Sequence, residues 1–260
     1  MLKGGVRGKD SFKLNYLFAF CIFFFLLTNV SYAQIIPTTP FFNRSDNPED
    51  VANTLSIILL LTILTVAPAI LLTMTAFLRI VIVLSFLRRA LGTPELPPNQ
   101  VIVSLGLILT FLVMMPTLRK FKDSALLPYL DKKISQKEFL SNSVEPFKQF
   151  MLKNLRDKDL ATILKMAGVT NIKQIRKEDI EIEFVVSAFI ISELRRAFIM
   201  GFLVYLPFLI VDLIISSILV SLGMLVLPPI LISLPLKILI FVLADGWNIV
   251  IQSLFLSFKV

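Results

Sequence analysis

The sequence predicts an all-α integral membrane protein with about four hydrophobic helices or helical hairpins and a small helical periplasmic domain. Of its 260 residues, 56% are hydrophobic and 17% are charged, whereas soluble domains have roughly 45–50% and 25%. The mean hydropathy of +0.84 supports the same class. The apolar residues form long runs, separated by polar segments and by paired prolines, and such runs are typical of membrane helices.

Composition also excludes several kinds of active site. The chain has no His, and its single Cys is Cys21, in a segment that we expect to be removed. This excludes His-based catalytic triads, His-ligated zinc sites and cysteine redox motifs. Neither G-x-x-x-x-G-K-[ST] nor G-x-G-x-x-G occurs. We predict that the protein is not an enzyme and has no catalytic residue, cofactor or metal site.

The positive charge does not indicate nucleic-acid binding. Of the formal net charge of +8, residues 1–33 contribute +3 and residues 116–183 contribute +4. The first segment is an apparent targeting sequence, and the second mixes acidic with basic side chains, as solvated surfaces do. We therefore expect no nucleic-acid partner.

Residues 1–33 have the features of a secretory signal peptide. A basic start precedes a short apolar core, YLFAFCIFFFLL at 16–27, and Ser31-Tyr32-Ala33 supplies the small-x-small cleavage pattern. We predict cleavage after Ala33; an uncleaved amphipathic anchor is the alternative. Residues 34–54 are rich in Pro, Asn and Thr, and they predict an extended leader outside the cytoplasm.

Residues 55–118 predict a first pair of hydrophobic helices. The run 55–87 is interrupted only by Pro68 and by the charge of Arg79. As a single helix it would be about 50 Å long, more than the roughly 30 Å of the hydrocarbon core. Either the helix kinks near Pro68, or its second half projects beyond the lipid and is covered by protein.

A loop at 88–100 should join this pair. It contains Arg88, Arg89, Gly92 and three prolines, which stop a helix. The arginines place the loop on the cytoplasmic side by the positive-inside rule. The second apolar stretch, 101–115, is short for a span unless it continues through Pro116 and Leu118 or is partly shielded by neighbouring helices.

Residues 119–183 predict the periplasmic helical domain, since two spans precede it. Ser135 and Glu138 have the spacing of a helix capping box, and Gly168 marks the end of a later helix. Its net positive charge argues against export, but long loops translocate largely regardless of charge.

Residues 184–260 predict the C-terminal hydrophobic helices, which divide at Pro228-Pro229. Charges within apolar helices are costly unless they face protein or water. Glu193 and Arg196 can pair on one helical face, whereas Lys237 and Asp245 need partners elsewhere. Either these charges fix packing, or they form a proton or ion relay; the full set is Glu193, Arg195, Arg196, Asp212, Lys237 and Asp245.

Several strings resemble the FliP family of flagellar export-gate proteins in order and spacing. They extend over roughly residues 50–258 and comprise TMTAFLRIVIVLSFLRRALGT (73–93), PPNQ (97–100), FIISELRRAF (189–198), PFLIVDL (207–213), LPP (227–229), SLPLK (233–237) and DGW (245–247).

The resemblance implies a core component of the flagellar type III protein export apparatus, in the bacterial inner membrane at the flagellar basal body. It implies a pentamer-like ring of several copies, completed by FliQ and FliR, with FlhB and FlhA as further partners and unfolded flagellar subunits as cargo. Hydrophobic helices would then pack on one another. Within that ring, Glu193, Arg196, Asp212 and Lys237 would be subunit-packing charges, and Glu193 would pair with Lys237 of a neighbouring copy.

The resemblance also implies a gate loop at 221–229. Here Gly223 is permissive, Pro228-Pro229 stops the helix, and the family has a run of methionines that closes the pore as a gasket. This chain has Met224, Leu225 and Val226 at those places, so they are the gasket candidates. The alternative is ordinary packing at a helix end.

Two other functions remain open from the sequence. One is the homologous injectisome export protein, although the signal peptide and the LRRALGT string favour the flagellar branch. The other is an ion-coupled membrane carrier with Glu193, Asp212 and Asp245 as its relay.

Overall fold

The structure, a computed structural model, describes residues 48–93, 97–169, 176–224 and 226–259. Regular elements in these residues are all helical, which confirms the α class. A π-helical turn, Lys122–Leu126, and a 3₁₀ turn, Lys177–Asp179, accompany the α-helices. The α-helices are α1 Pro48–Met74, α2 Phe77–Ala90, α3 Asn99–Phe121, α4 Leu127–Leu130, α5 Gln136–Asn154, α6 Asp157–Met166, α7 Ile182–Ser221, α8 Ile230–Leu243 and α9 Gly246–Leu256.

Two continuous helices are long and apolar enough to cross a membrane, namely Asn99–Leu130 and Ile182–Ser221. Two bent pairs qualify as well if each counts as one span, Leu55–Val66 with Pro68–Met74 and Ile230–Leu243 with Gly246–Leu256. The described residues therefore hold two to four candidate spans. The described residues from 61 onwards form one compact unit, and residues 48–60 begin α1 in a separate unit.

The apolar run 55–87 is two helices, as its excessive length suggested. The axis of α1 bends by 44° at Pro68, which cannot donate a backbone hydrogen bond. The chain then breaks at Thr75 and Ala76 before α2 begins. The hydroxyl of Thr75 accepts a hydrogen bond from the Phe77 N–H at 3.3 Å, so it partly satisfies the new helix end.

The core is built where α2 packs against α7 and, on a second side, against α3. The buried side chains of α2 recur every three or four residues, the spacing of one helical face: Phe77, Arg79, Ile80, Val83, Leu84, Leu87 and Ala90. α3 approaches closely at Gly106, where an added Cβ would lie 2.7 Å from Val81. The close packing of α3 against α2 therefore requires a residue without a side chain at Gly106.

α3 does continue through Pro116, which was one condition for it to be a full span. It runs to Phe121, and the π-helical turn and α4 extend the rod to Leu130. The polar section 119–183 therefore starts as a continuation of this helix.

The capping box predicted at the start of α5 is confirmed. The Glu138 N–H donates to Ser135 Oγ at 3.3 Å, and the Ser135 N–H donates to Glu138 Oε2 at 2.7 Å. The helix stop at Gly168 is confirmed too: Gly168 has a φ of 80° after the end of α6. The Gly168 N–H donates to the Lys165 carbonyl and the Val169 N–H to the Leu164 carbonyl, the hydrogen-bond pair of a Schellman motif.

The capping box gives a first prediction: Ser135→Ala should reduce stability by about 1 kcal/mol. Ser143→Ala in the same helix should have less effect, because Ser143 only bonds the carbonyl one turn back. Thermal unfolding of the purified protein measures both. An equal loss in the two variants would contradict a special role for the cap.

The same contacts set a pH dependence. The backbone N–H and the hydroxyl of Ser135 donate to the Glu138 carboxylate and hold its pKa below the ordinary value. The cap is therefore fully stabilising above the ordinary Glu pKa, and that contribution is lost as pH falls through the lowered pKa. With Glu138→Gln, this part of the acid sensitivity should disappear.

The C-terminal region consists of α7, α8 and α9. α7 has 40 residues and is about 60 Å long, roughly twice the hydrocarbon core. α8 and α9 meet at 65°, where Asp245 has a left-handed φ of 51°. Gly246 is required at this corner, because an added Cβ would lie 2.2 Å from the Phe241 ring.

Candidate functional site

A buried ion pair lies at the centre of the α2–α7 seam. The side chains of Arg79, on α2, and Glu193, on α7, are both fully buried. Arg79 Nε donates to Glu193 Oε2 at 2.7 Å, and a second hydrogen bond joins Arg79 Nη2 to Glu193 Oε1. The contact is bidentate, the strongest geometry of an arginine–carboxylate pair. Arg79 is thus the missing partner of Glu193, and its position as the one charge in the run 55–87 was the sequence signal for it.

The segment after α9 completes this site. Arg79 Nη1 donates to the carbonyl and to the hydroxyl of Ser257, each at 2.9 Å. The Phe258 ring covers the guanidinium, with its centroid 3.8 Å from Arg79 Cζ. Phe258 itself is buried, so hydrogen bonds and a cation–π contact surround the charge.

Asn154, at the end of α5, holds the same segment by its backbone. The Asn154 amide donates to the Lys259 carbonyl at 3.0 Å and accepts from the Lys259 N–H at 2.9 Å. Asn154 is fully buried, and it also donates to the Phe150 carbonyl within its own helix. Residues 257–259 are therefore docked on α2 and α5 through backbone as well as side-chain contacts.

A second buried polar contact joins α6 to α7. Ser192 donates to Asp159 Oδ2 at 2.8 Å and accepts from the Arg156 N–H at 3.0 Å. Arg195, half exposed, approaches Asp159 at 3.8 Å. The contact fixes the polar section against α7 one residue before Glu193.

Lys237 and Asp212 form a third contact, between α8 and α7. Lys237 Nζ donates to Asp212 Oδ2 at 2.5 Å. The lysine is buried, whereas about a third of the aspartate side chain is exposed. A Cβ placed on Gly92 would lie 3.8 Å from Lys237 Nζ, so the ammonium group is also close to the C-terminal end of α2, where a positive charge is favourable.

These contacts correct the expected pairing of the charges. Glu193 and Lys237 each have a partner within the chain, so removal of Glu193 leaves Arg79, rather than Lys237, without its carboxylate. Arg196 is half buried near Glu193 but makes no ion pair with it among the described residues. Asp245 is exposed at the α8–α9 corner and accepts from the Asn248 amide at 3.0 Å; it is not a buried helical charge.

The loop between α7 and α8 is strongly exposed. Gly223, with a φ of 74°, ends α7, and the Met224 N–H donates to the Leu219 carbonyl at 2.9 Å. Val226 is 94% exposed and Met224 is 45% exposed. Leu225, the middle gasket candidate, lies outside the described residues. Pro228-Pro229 precede α8 as expected.

Other sequence predictions concern residues outside those described. The signal peptide at 1–33, its cleavage after Ala33 and residues 34–47 of the leader belong to this group, as do residues 94–96 of the loop 88–100. Residues 48–54 of the leader, which were expected to be extended, are instead the start of α1. Within the described residues that loop is shorter than expected, because α2 extends to Ala90 and α3 begins at Asn99.

The chemistry of the site is that of structural contacts between helices. Both oxygens of the Glu193 carboxylate are bonded by Arg79, and Asp159 accepts from Ser192. In the described part of the chain, no three His, Cys, Asp or Glu side chains are grouped so that they could hold a metal ion. Together these contacts join α2, α5, α6, α7, α8 and the segment after α9.

Comparisons with known proteins agree on one family. The model of the FliP family matches residues 60–254. A protein named flagellar biosynthetic protein FliP from Bacillus subtilis (strain 168) is 49% identical over 214 residues, covering 82% of this chain and 96% of that protein. Its namesakes from Aquifex aeolicus (strain VF5) and Pectobacterium carotovorum subsp. carotovorum are 45% and 47% identical, covering 81% and 77% of this chain and 88% and 77% of their own lengths.

Proposed function

This chain belongs to the FliP family, and we propose from this that it is a core membrane component of the flagellar type III protein export apparatus, forming the gate for unfolded flagellar subunits. The single observation that carries the proposal is the family match over residues 60–254. Members of the family are components of flagellar export and are not known as enzymes, so the chain has a role in flagellar biosynthesis. The relatives that carry the flagellar name favour this branch over the injectisome.

The proposed assembly is a pentamer-like ring of several copies with FliQ and FliR, contacted by FlhB and FlhA. Large apolar side chains on the second half of α7 and on α8 support it, since they are exposed in the isolated chain: Leu203, Ile210, Leu213, Ile214, Ile218, Leu231, Leu239 and Leu243. The length of α7 adds to this, because half of such a helix extends beyond the hydrocarbon core. An apolar helix outside lipid must be covered by protein.

The proposed location is the bacterial inner membrane at the flagellar basal body. The signal peptide would be cleaved after Ala33, the loop 88–100 would be cytoplasmic, and the helical domain 119–183 would be periplasmic. The basic residues of the loop and the helical continuity of α3 with the polar section are consistent with this topology.

The charges Glu193, Arg196, Asp212 and Lys237 would set the packing of α7 and α8 in each subunit and thereby the surface that meets the next copy. Asp212 and Arg196 are the members with exposed area left for a neighbour. In this proposal, an inter-subunit contact adds to the pairs within the chain instead of replacing them.

The proposed gate is the loop 221–229, with Met224, Leu225 and Val226 as the gasket. The exposure of Met224 and Val226 supports this, since apolar side chains without partners in the chain are free to meet their counterparts around a pore. A ring of apolar side chains blocks ions by dewetting, and the unbranched Met yields to a passing chain.

The export role is tested by deleting the gene and restoring it in trans. We expect deletion to abolish filaments and swimming, and the intact gene to restore both. Secretion of hook and filament subunits into the medium should stop as well, while their synthesis continues. Motile cells with normal filaments after deletion would contradict the proposal.

The gate is tested by replacing Met224, Leu225 and Val226 together by Ala. We expect the complex to assemble but to leak small ions, measured as conductance of the closed, substrate-free complex in planar bilayers. The matched control replaces three exposed apolar residues of the polar section, Leu140, Val144 and Met166, and should stay closed. A gate variant as tight as its parent would exclude these residues from the seal.

A further inference from the structure

An apolar groove between α2, α3 and α9 is the strongest feature that the export role does not explain. It has a volume of about 290 Å³ and an almost wholly apolar wall. Leu84 and Leu87 come from α2, and Ile251 and the half-exposed Trp247 come from α9. The remaining lining residues are Arg88, Leu91, Pro97, Val101, Ile102 and Leu105.

The groove has a positive charge at one end. Arg88 is the only charged side chain among its described lining residues. Arg88 Nη1 donates to Asn99 Oδ1 at 2.6 Å and to the Pro97 carbonyl at 3.3 Å, so the guanidinium is fixed beside the start of α3. Arg89, the next residue, is exposed.

The same end has the composition of a membrane–water interface. α3 begins at Asn99 as the start of a candidate span, and α2 ends close by at Ala90. Arginines are concentrated where membrane helices end. Trp247 is amphipathic and half exposed, and such side chains settle at the level of the lipid headgroups. An occupant would therefore meet a cationic site at headgroup depth and an apolar slot below it.

We propose that this groove binds one anionic phospholipid, with an acyl chain along the apolar wall and its phosphate at Arg88 and Arg89. Charge complementarity selects the headgroup, since basic residues at this depth attract anionic lipids. The apolar wall favours any acyl chain and does not distinguish one phospholipid headgroup from another. A zwitterionic lipid should enter the groove but be held less tightly.

The chain carries its own probe for this contact, because Trp247 is its single tryptophan. The full-length protein, together with any copurifying proteins, is placed in phosphatidylcholine nanodiscs. One sample contains acyl-brominated phosphatidylglycerol, and the other contains acyl-brominated phosphatidylcholine at the same mole fraction. Bromine quenches a tryptophan that it touches. The Trp247→Phe protein supplies the background from other proteins.

We expect brominated phosphatidylglycerol to quench Trp247 at lower mole fraction than brominated phosphatidylcholine. The preference should be about fivefold for each arginine, equivalent to about 1 kcal/mol. The Arg88→Gln, Arg89→Gln double variant should lose it, and the corresponding Lys double variant should keep most of it. Leu105→Phe, which fills the groove, should reduce quenching by both lipids, whereas Ile108→Phe, on the exposed side of α3, should not.

Three results would overturn the proposal. Equal quenching by the two lipids would mean unselective annular lipid. No quenching by either would mean that protein, such as a second copy of the chain, covers the groove. Loss of the phosphatidylglycerol preference on adding inorganic phosphate, at constant ionic strength, would mean a site for free phosphate ion.

Discussion

Glu193→Ala should be the most damaging single substitution in the α2–α7 seam, with a loss of about 3–5 kcal/mol. It leaves the fully buried Arg79 without its carboxylate, and among the described residues Ser257 is then its one remaining hydrogen-bond acceptor. Cells should swim poorly because little folded protein accumulates in the membrane. Fluorescence-detected size-exclusion chromatography and motility in soft agar measure the two effects.

The control is Glu183→Ala, at an exposed position in the first turn of the same helix, which should behave like the parent. A second variant separates charge from packing. Replacing Arg79 and Glu193 together by Met should recover part of the stability, because apolar residues can substitute for a buried ion pair as a unit. A Glu193→Ala protein that accumulates and melts like its parent would show that the pair does not hold the seam.

Gly201→Val should be the second most damaging change. A Cβ on Gly201 would lie 2.6 Å from Phe86 Cγ and 3.0 Å from Phe86 Cβ, atoms near the root of the side chain that cannot simply rotate away. Overpacking of this kind typically costs about 1–3 kcal/mol, and the second branch of Val adds to it. The thermal midpoint and the amount of folded protein should both fall.

Ile199→Val, on the exposed side of α7, is the matched control and should have little effect. Phe86→Ala should partly restore the Gly201→Val protein, even though alone it loses the edge-to-face contact with Phe198 at 5.6 Å. The two changes are in contact, so their effects should not add. Strict additivity in this double-mutant cycle would contradict a clash between the two positions.

The sequence predicted local features of the fold well. The helical class, the capping box at Ser135 and the stop at Gly168 each depend on the chemistry of neighbouring residues. The continuation of α3 through Pro116 was one of two possibilities that the sequence left open, and the structure decides between them. The run 55–87 exceeded any single span, and the structure divides it at Pro68 and at Thr75. Helix propensity and proline chemistry are local, and a single sequence contains them.

Partners across the fold could not be predicted in this way. Arg79 stands out in the sequence as the one charge in the run 55–87, but nothing local shows that Glu193 pairs with Arg79 rather than with Arg196 or Lys237. The pairing of Glu193 with Arg79 is determined by the packing of α7 on α2. Asp159 and Asn154 were likewise hidden in a polar segment, where acidic and amide side chains are common. The exposure of Asp245 depended on a helix corner that apolar composition does not reveal.

The docking of residues 257–259 has a consequence for the order of folding. Arg79 is separated by 114 residues from Glu193 and by 178 from Ser257. When α2 is synthesised, its arginine has none of these partners, and a solitary charge is costly in apolar surroundings. We therefore infer that Arg79 stays in contact with water or with another protein until α7 and the segment after α9 have been synthesised. Long-range closure of this kind is slow, and a factor that shelters α2 meanwhile would raise the yield of folded subunits.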